Sequence, residues 1–292
     1  MSRDANETQK NTCQFFGCGT NLYDRNLHYN SKKTIMISQF QRFKDLHNQN
    51  EPFLLSNAWN AQSAKISEKL GFKSIGTSSA AIAHSLGYED GEKMPFSDYL
   101  FIIESIKKSI TIPLSVDLES GYGNDQETII SNISKLVNLG VVGINIEDSI
   151  VKEDIRTLEN EIVFSEKLNI ISNYIKTNNI ELFVNVRTDT FLLNCENVMS
   201  ETLKRIKLYE QFNIDGIFIP CITNQNDIKK IIENTKLPIN VMCMPELPNF
   251  DILKSVGVKR ISMGNFINDY IYKNMSQISE KIINEKSFNC LF

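Results

Sequence analysis

The chain has 292 residues, 41 % of them hydrophobic and 23 % charged, with a formal net charge of −4. That composition can fill a sizeable core and offers no basic excess for nucleic acid or an anionic membrane. No apolar run approaches the ~20 residues of a membrane span, and the first thirty residues lack the apolar core of a signal peptide, so a cytoplasmic protein is expected.

Residues 1–36 are polar, Asn-rich and without a period, which reads as a loosely ordered extension ahead of one domain over 37–292. Phe40, Phe43 and Leu46 then recur at helical spacing. From Phe53 onward, short apolar runs alternate with longer segments of helical period. The runs are FLLSNAW (53–59), SIGTSS (74–79), PLSVDLE (113–119), GINIED (143–148), LFVNVRTD (182–189), GIFIPC (216–221), PINVMCM (238–244) and RISMGN (260–265). Their β-branched content and continuous hydrophobicity suit parallel strands covered on both faces. Among the helices, AQSAKISEKLGF places Ala64, Ile66 and Leu70 on one side and stops at Gly71. NDQETIISNISKLVNLGV opens at Asn124-Asp125 and closes at Gly140. Eight strand–helix units predict an α/β fold of the (β/α)₈ TIM-barrel type, and neither GxGxxG nor GxxxxGK[ST] occurs.

Barrel enzymes place their chemistry where the strands end. Here the first five runs end in Asn57-Ala58-Trp59-Asn60, Thr77-Ser78-Ser79, Asp117-Leu118-Glu119, Glu147-Asp148 and Arg187-Thr188-Asp189. Strand alternation would put Asp117 and Glu119 on one face, with Glu147 beside them. Carboxylates that close repel unless a cation lies between them. A carboxylate set without His or Cys suits a hard cation, Mg²⁺ or Mn²⁺. The six cysteines are scattered without a CxxC pair, and Cys13-x₄-Cys18 has no partners, so disulfide and zinc frameworks are not expected.

Seven segments in order resemble the isocitrate lyase / phosphoenolpyruvate mutase superfamily, in its phosphonomutase-like branch. They are SNAWNAQSAKISEKLGFKSIGTSSAAIAHSLGYEDGE, VDLESGYGN, GINIEDS, VNVRTDTF, DGIFIPC, PINVMCMPELP and VKRISMGN. The resemblance implies a barrel, often tetrameric with a terminal helix exchanged between subunits, that acts on a small carboxylic acid through an enolate. It implies Asp117 as the direct Mg²⁺ ligand, with Glu119, Glu147 and Asp90 holding the metal's waters. Arg187 would pair with a substrate carboxylate or phosphonate. Ser78 with the Ser79 and Ala80 amides would cradle the substrate, and Asn57 and Trp59 would line the mouth. The residues alone leave other readings open: Ser78 and Ser79 as helix caps, Asp90 as a turn residue, Arg187 as an ion pair with Asp189 or Asp215, Trp59 as packing, His84 as structural.

The resemblance fails after the fourth strand. Lyases of the superfamily carry a K-x-C-G loop there and the mutases an Asn-containing one, whereas EDSIVKEDIRTLENEIVFSEK has neither. Pro220 also stands where the mutases have a histidine. The group that acts on the leaving fragment is then sought among Lys152, Glu153 and Asp154. The expected activity is a Mg²⁺-dependent carbon–carbon lyase, with a phosphonomutase-type enzyme or a non-catalytic binder as alternatives. A homo-oligomer, tetramer or dimer, is the expected assembly.

Overall fold

The computed structural model describes residues 37–123 and 125–292. The expected extension, the Cys13/Cys18 pair and Asn124 lie outside them. The elements are α1 (Gln39–His47), β1 (Phe53–Ala58), α2 (Ala61–Lys69), β2 (Ile75–Thr77), α3 (Ser79–Ser85), α4 (Phe96–Ser109), β3 (Leu114–Asp117), α5 (Gln126–Asn138), β4 (Gly143–Glu147), β5 (Ser149–Lys152), β6 (Ile155–Leu158), α6 (Glu161–Thr177), β7 (Phe183–Arg187), α7 (Val198–Tyr209), β8 (Gly216–Phe218), α8 (Gln225–Glu233), β9 (Ile239–Met242), α9 (Phe250–Val256), β10 (Arg260–Ser262) and α10 (Phe266–Glu285).

All eight expected runs are strands, and they close into one parallel barrel in the order β1-β10-β9-β8-β7-β4-β3-β2. The fold is the (β/α)₈ barrel. Parallel strands buried on both faces need apolar side chains on the outward positions, against the helices. Ile144, Ile146, Val184, Val186, Ile217 and Val241 supply them, each at most 1 % exposed. The inward positions are more polar: Asn57, Ser115, Asn185, Asn240 and Arg260 are all buried, and Asn145 is half-buried.

Helix α1 closes the end of the barrel where the strands begin. Its Phe43, Leu46 and His47 pack with Phe53, Leu55, Val142 and Phe183. His47 stacks on Phe183 at 4.0 Å between ring centroids, and burial pushes its imidazole down to about 3. Gly143 is required there, since a Cβ would stand 2.8 Å from the Phe43 ring.

Two expectations need correction. Helix α2 buries Ala64 and Ser67, whereas Ile66 and Leu70 are exposed, so its apolar face was misread. The segment after β4 is an antiparallel hairpin, β5–β6, pairing Ser149 with Leu158 and Lys152 with Ile155. Its two-residue turn, Glu153-Asp154, has positive φ at both positions without glycine, the geometry of a type I′ turn.

Candidate active site

The C-terminal strand ends surround a cavity of about 480 Å³ lined by Asn57, Ser78, Ser79, Ala80, Asp90, Asp117, Arg156 and Arg187, among others. Asp117 closes β3. Its amide donates to Thr77 Oγ1 at 2.9 Å and its carbonyl accepts from the buried Tyr99 hydroxyl at 2.7 Å, which fixes the backbone. Ser79 Oγ donates to Asp117 Oδ2 at 2.8 Å. The other oxygen, Oδ1, is buried and has no hydrogen-bond partner among the described residues.

Glu119 does not continue the strand, as alternation had suggested. β3 stops at Asp117, and Glu119 has φ +49. Its carboxylate is nonetheless buried, accepting from Tyr122 Oη at 2.8 Å and from the Glu92 amide at 2.9 Å. Burial, then the charges of Glu147, Asp90 and Asp117, hold it well above the usual carboxylate range. Glu147, at the end of β4, meets Arg187 Nη1 at 2.9 Å through Oε2. Burial pushes Glu147 up to about 8 against the pull of Arg187.

Arg187 ends β7. Asp189 accepts from its Nε at 2.6 Å and from its Nη2 at 3.0 Å, so the ion pair foreseen with Asp189 is present, while Asp215 meets Lys44 instead. The guanidinium lies 5.9 Å from the Phe218 ring centroid. Five N–H donors belong to such a group, and those not spent on Asp189 and Glu147 remain for an oxyanion at the cavity.

Ser78 caps α3, its Oγ accepting from the Ala81 amide at 3.3 Å, and it lines the cavity as well. Asn57 clasps three strand ends: Nδ2 donates to the Thr77 carbonyl, and Oδ1 accepts from the Met263 and Gly264 amides. Trp59 packs against the core and is not among the cavity-lining residues. His84, read as structural, is exposed and stands on the cavity rim. Lys152, Glu153 and Asp154 sit exposed at the hairpin tip, with Asp154 bound to Lys93 at 2.6 Å, and none of them lines this cavity. Burial pushes the Cys195 and Cys221 thiols up, and neither lines it either.

Sequence reasoning missed Arg156 on β6. Its Nη2 donates to Asp90 Oδ2 at 2.9 Å and its Nη1 to Glu147 Oε1 and, at 2.9 Å, to Ser149 Oγ. Nη1 also lies 3.6 Å from Asp189 Oδ2. No periodicity marks such a residue; only its place opposite the acids in the folded hairpin does.

The donor set suits a divalent cation. Asp117 Oδ1 is a buried oxygen without a hydrogen-bond partner among the described residues, and the charges of Glu147, Asp90 and Asp117 all reach Glu119. Among the described residues no group of three or more His, Cys, Asp or Glu side chains is placed to hold a metal ion together. Mg²⁺ does not need one, since it keeps several waters and takes one or two carboxylates directly.

The model of the family described as phosphoenolpyruvate phosphomutase matches residues 43–283. An uncharacterised protein of Mycobacterium tuberculosis is 31 % identical over 223 residues, 76 % of this chain and 81 % of that one. A Burkholderia cenocepacia J2315 protein regarded as a phosphonomutase has a similar structure, with TM-score 0.78 and 29 % identity, covering 83 % of this chain and 99 % of that one. The structure of a phosphonopyruvate hydrolase in complex with oxalate and Mg²⁺ matches with TM-score 0.76 and 20 % identity, covering 87 % and 89 %. The chain therefore belongs to the phosphoenolpyruvate phosphomutase family.

Proposed function

We propose that the protein is a Mg²⁺-dependent lyase that cleaves or forms a carbon–carbon bond in a small 2-oxo or 2-hydroxy carboxylic acid by way of an enolate. The observation that carries this reading is Asp117 Oδ1, unpartnered among the described residues, on the same cavity as the Arg187 guanidinium. A cation site and an anion site share one space of about 480 Å³, the size of a small acid's pocket.

Asp117 would hold Mg²⁺ (or Mn²⁺) directly, with Glu119, Glu147 and Asp90 on its waters. When bound, the metal supplies a Lewis acid for negative charge developing on a substrate oxygen. Ser79 keeps Asp117 turned toward the cavity through its 2.8 Å bond. Arg187 orients the substrate carboxylate, itself fixed by Asp189 so that little is lost on binding. The Ser79 and Ala80 amides, in the first turn of α3, lack a carbonyl four residues back within the helix and can meet the same acid. Asn57 ties the rim, and Trp59 supports it from the core.

Relatives at 24 % and 22 % identity are named oxaloacetate decarboxylase and 2-methylisocitrate lyase, which supports C–C chemistry. A phosphonomutase-type reaction on a P–C bond is the second reading, favoured by the 29 % identical Burkholderia protein. A substrate screen separates them. Mg²⁺-dependent release of a pyruvate-type product from a 2-oxo or 2-hydroxy dicarboxylic acid is expected. A ³¹P shift with phosphonopyruvate instead would favour the second reading. Oxalate binding without turnover of either would make the protein a binder.

Helix α10 exposes Tyr270, Ile271, Met275, Ile278 and Ile283, an apolar face suited to a second copy, so a homo-oligomer is proposed. No helix among the described residues is long and apolar enough to cross a membrane, which suits the cytoplasmic placement proposed here.

A further inference from the structure

Two side-chain cations meet the acid cluster in this structure, Arg187 and, from the hairpin, Arg156. Arg156 donates to Glu147 Oε1 and to Asp90 Oδ2, two acids assigned above to the metal's waters. Its side chain is 17 % exposed, and a guanidinium does not lose its proton in a protein. A hydrated Mg²⁺ presents water protons to the same oxygens. Arg156 and the metal therefore compete for one set of acceptors.

Beyond its base, the hairpin that carries Arg156 has few other anchors among the described residues. Two strands alone are marginally stable. The Glu153-Asp154 turn holds two non-glycine residues at positive φ, at a cost in stability. Outside the Arg156 contacts, the base is held by buried Ser149, which donates to Asp189 Oδ2 at 2.5 Å, and by the Glu159 amide on the Asp148 carbonyl. Beyond the base, Val151 packs on Gly91, where a Cβ would stand 2.6 Å from Val151, and the exposed Lys93–Asp154 pair joins the tip to the same loop. A second cavity of about 740 Å³ lies against the hairpin, lined by Ile150, Val151 and Lys152 with Val163 and Lys167 of α6, and Glu119 and Glu147 border this space rather than the 480 Å³ one. It leaves the hairpin space to move.

We propose that Arg156 is the resident counter-cation of the carboxylate cluster, and that it and the divalent metal hold Glu147 and Asp90 in turn, so that metal entry detaches hairpin β5–β6. This rests on the metal reading given above. It also gives the hairpin a task in place of the family's cysteine loop: it carries a permanent cation that keeps the acids together until metal arrives.

The test is calorimetric titration of the full chain with Mg²⁺ alone, for the unaltered protein and for Arg156→Gln, alongside hydrogen exchange of amides 149–158 in the unaltered protein with and without Mg²⁺. Arg156→Gln is expected to bind Mg²⁺ about tenfold more tightly, the scale of one part-buried ion pair. The hairpin amides are expected to exchange faster once Mg²⁺ is present. If the unaltered protein binds and Arg156→Gln binds equally or more weakly, the proposal is overturned while the metal reading stands. Hairpin exchange that is unchanged or slowed by Mg²⁺ overturns it too, and decides the matter should Arg156→Gln fail to fold. Binding by Arg156→Gln alone supports it in its strongest form. Binding by neither overturns both the proposal and the metal reading.

Discussion

Glu147 and Asp148 are consecutive residues at one strand end, both at most 2 % exposed, and they meet opposite fates. Asp148 turns to the helix side. There it accepts from Arg205 Nη1 at 3.1 Å, Tyr209 Oη at 2.9 Å, Thr188 Oγ1 at 2.8 Å and the Asp189 amide at 2.9 Å. Glu147 turns to the lumen, into a cluster with Asp117, Glu119, Asp90 and Asp189 that Arg156 and Arg187 only partly offset. A buried charge with a complete partner set holds structure together. A crowd of like charges is costly as it stands, and such clusters are concentrated at functional sites.

The largest effect that could break this contrast is on turnover. Asp117→Ala is expected to lower Mg²⁺-dependent turnover by a factor on the order of 10³ or more, by removing the direct ligand. Its melting temperature should hold or rise, because one repelling charge is gone. A fall in melting temperature comparable to that of a core truncation would place Asp117 with Asp148 instead.

Asp148→Ala should do the reverse. It leaves Arg205, 4 % exposed at its side chain, without its buried partner, and is expected to cost about 3–5 kcal/mol in urea unfolding. The folded fraction should bind Mg²⁺ as before. Pairing Asp148→Asn with Arg205→Met should recover most of the loss, since no buried charge is then left alone.

The closed end of the barrel extends the comparison to a base. His47 is held neutral, down to about 3, chiefly by burial. The unfolded chain takes up its proton near 6.5 and the folded chain does not, so stability is full above that pH and falls as pH drops toward 3. The slope is at most about 1.4 kcal/mol per pH unit. Acid unfolding midpoints of the unaltered protein and of His47→Leu measure it, and the variant should lose this part of the slope.

The smallest effect sharpens the Glu147 side. Ser79→Ala removes the one donor to Asp117 Oδ2, worth about 1 kcal/mol, and should change Mg²⁺ affinity by about fivefold while leaving the unfolding midpoint in place.

Much of the barrel is legible in the sequence. Strands covered by helices need apolar side chains on their outward positions, and Ile144 and Ile146 in GINIED, Val184 and Val186 in LFVNVRTD and Ile217 in GIFIPC supply them. Asp117, Glu147 and Arg187 were legible because a barrel directs strand ends to one rim. Helix α2 was misread because its inner face uses Ala64 and Ser67, too small and too polar to outweigh the exposed Ile66 and Leu70. The hairpin was missed because its turn lacks the Gly or Asn that announces positive φ. Arg156 followed from that miss. One arginine in a polar stretch acquires meaning only when β6 pairs with β5 and brings it over Glu147 and Asp90.

The central claim is that Asp117 holds a cation on which a small acid binds. Oxalate, which mimics an enolate of pyruvate type, tests it by calorimetry with Mg²⁺ and with the metal chelated, for the unaltered protein and for Asp117→Ala. Oxalate should bind the unaltered protein only with Mg²⁺ present, and Asp117→Ala under neither condition. Equal oxalate binding in the chelated sample, or in Asp117→Ala, would contradict the metal assignment and the chemistry built on it.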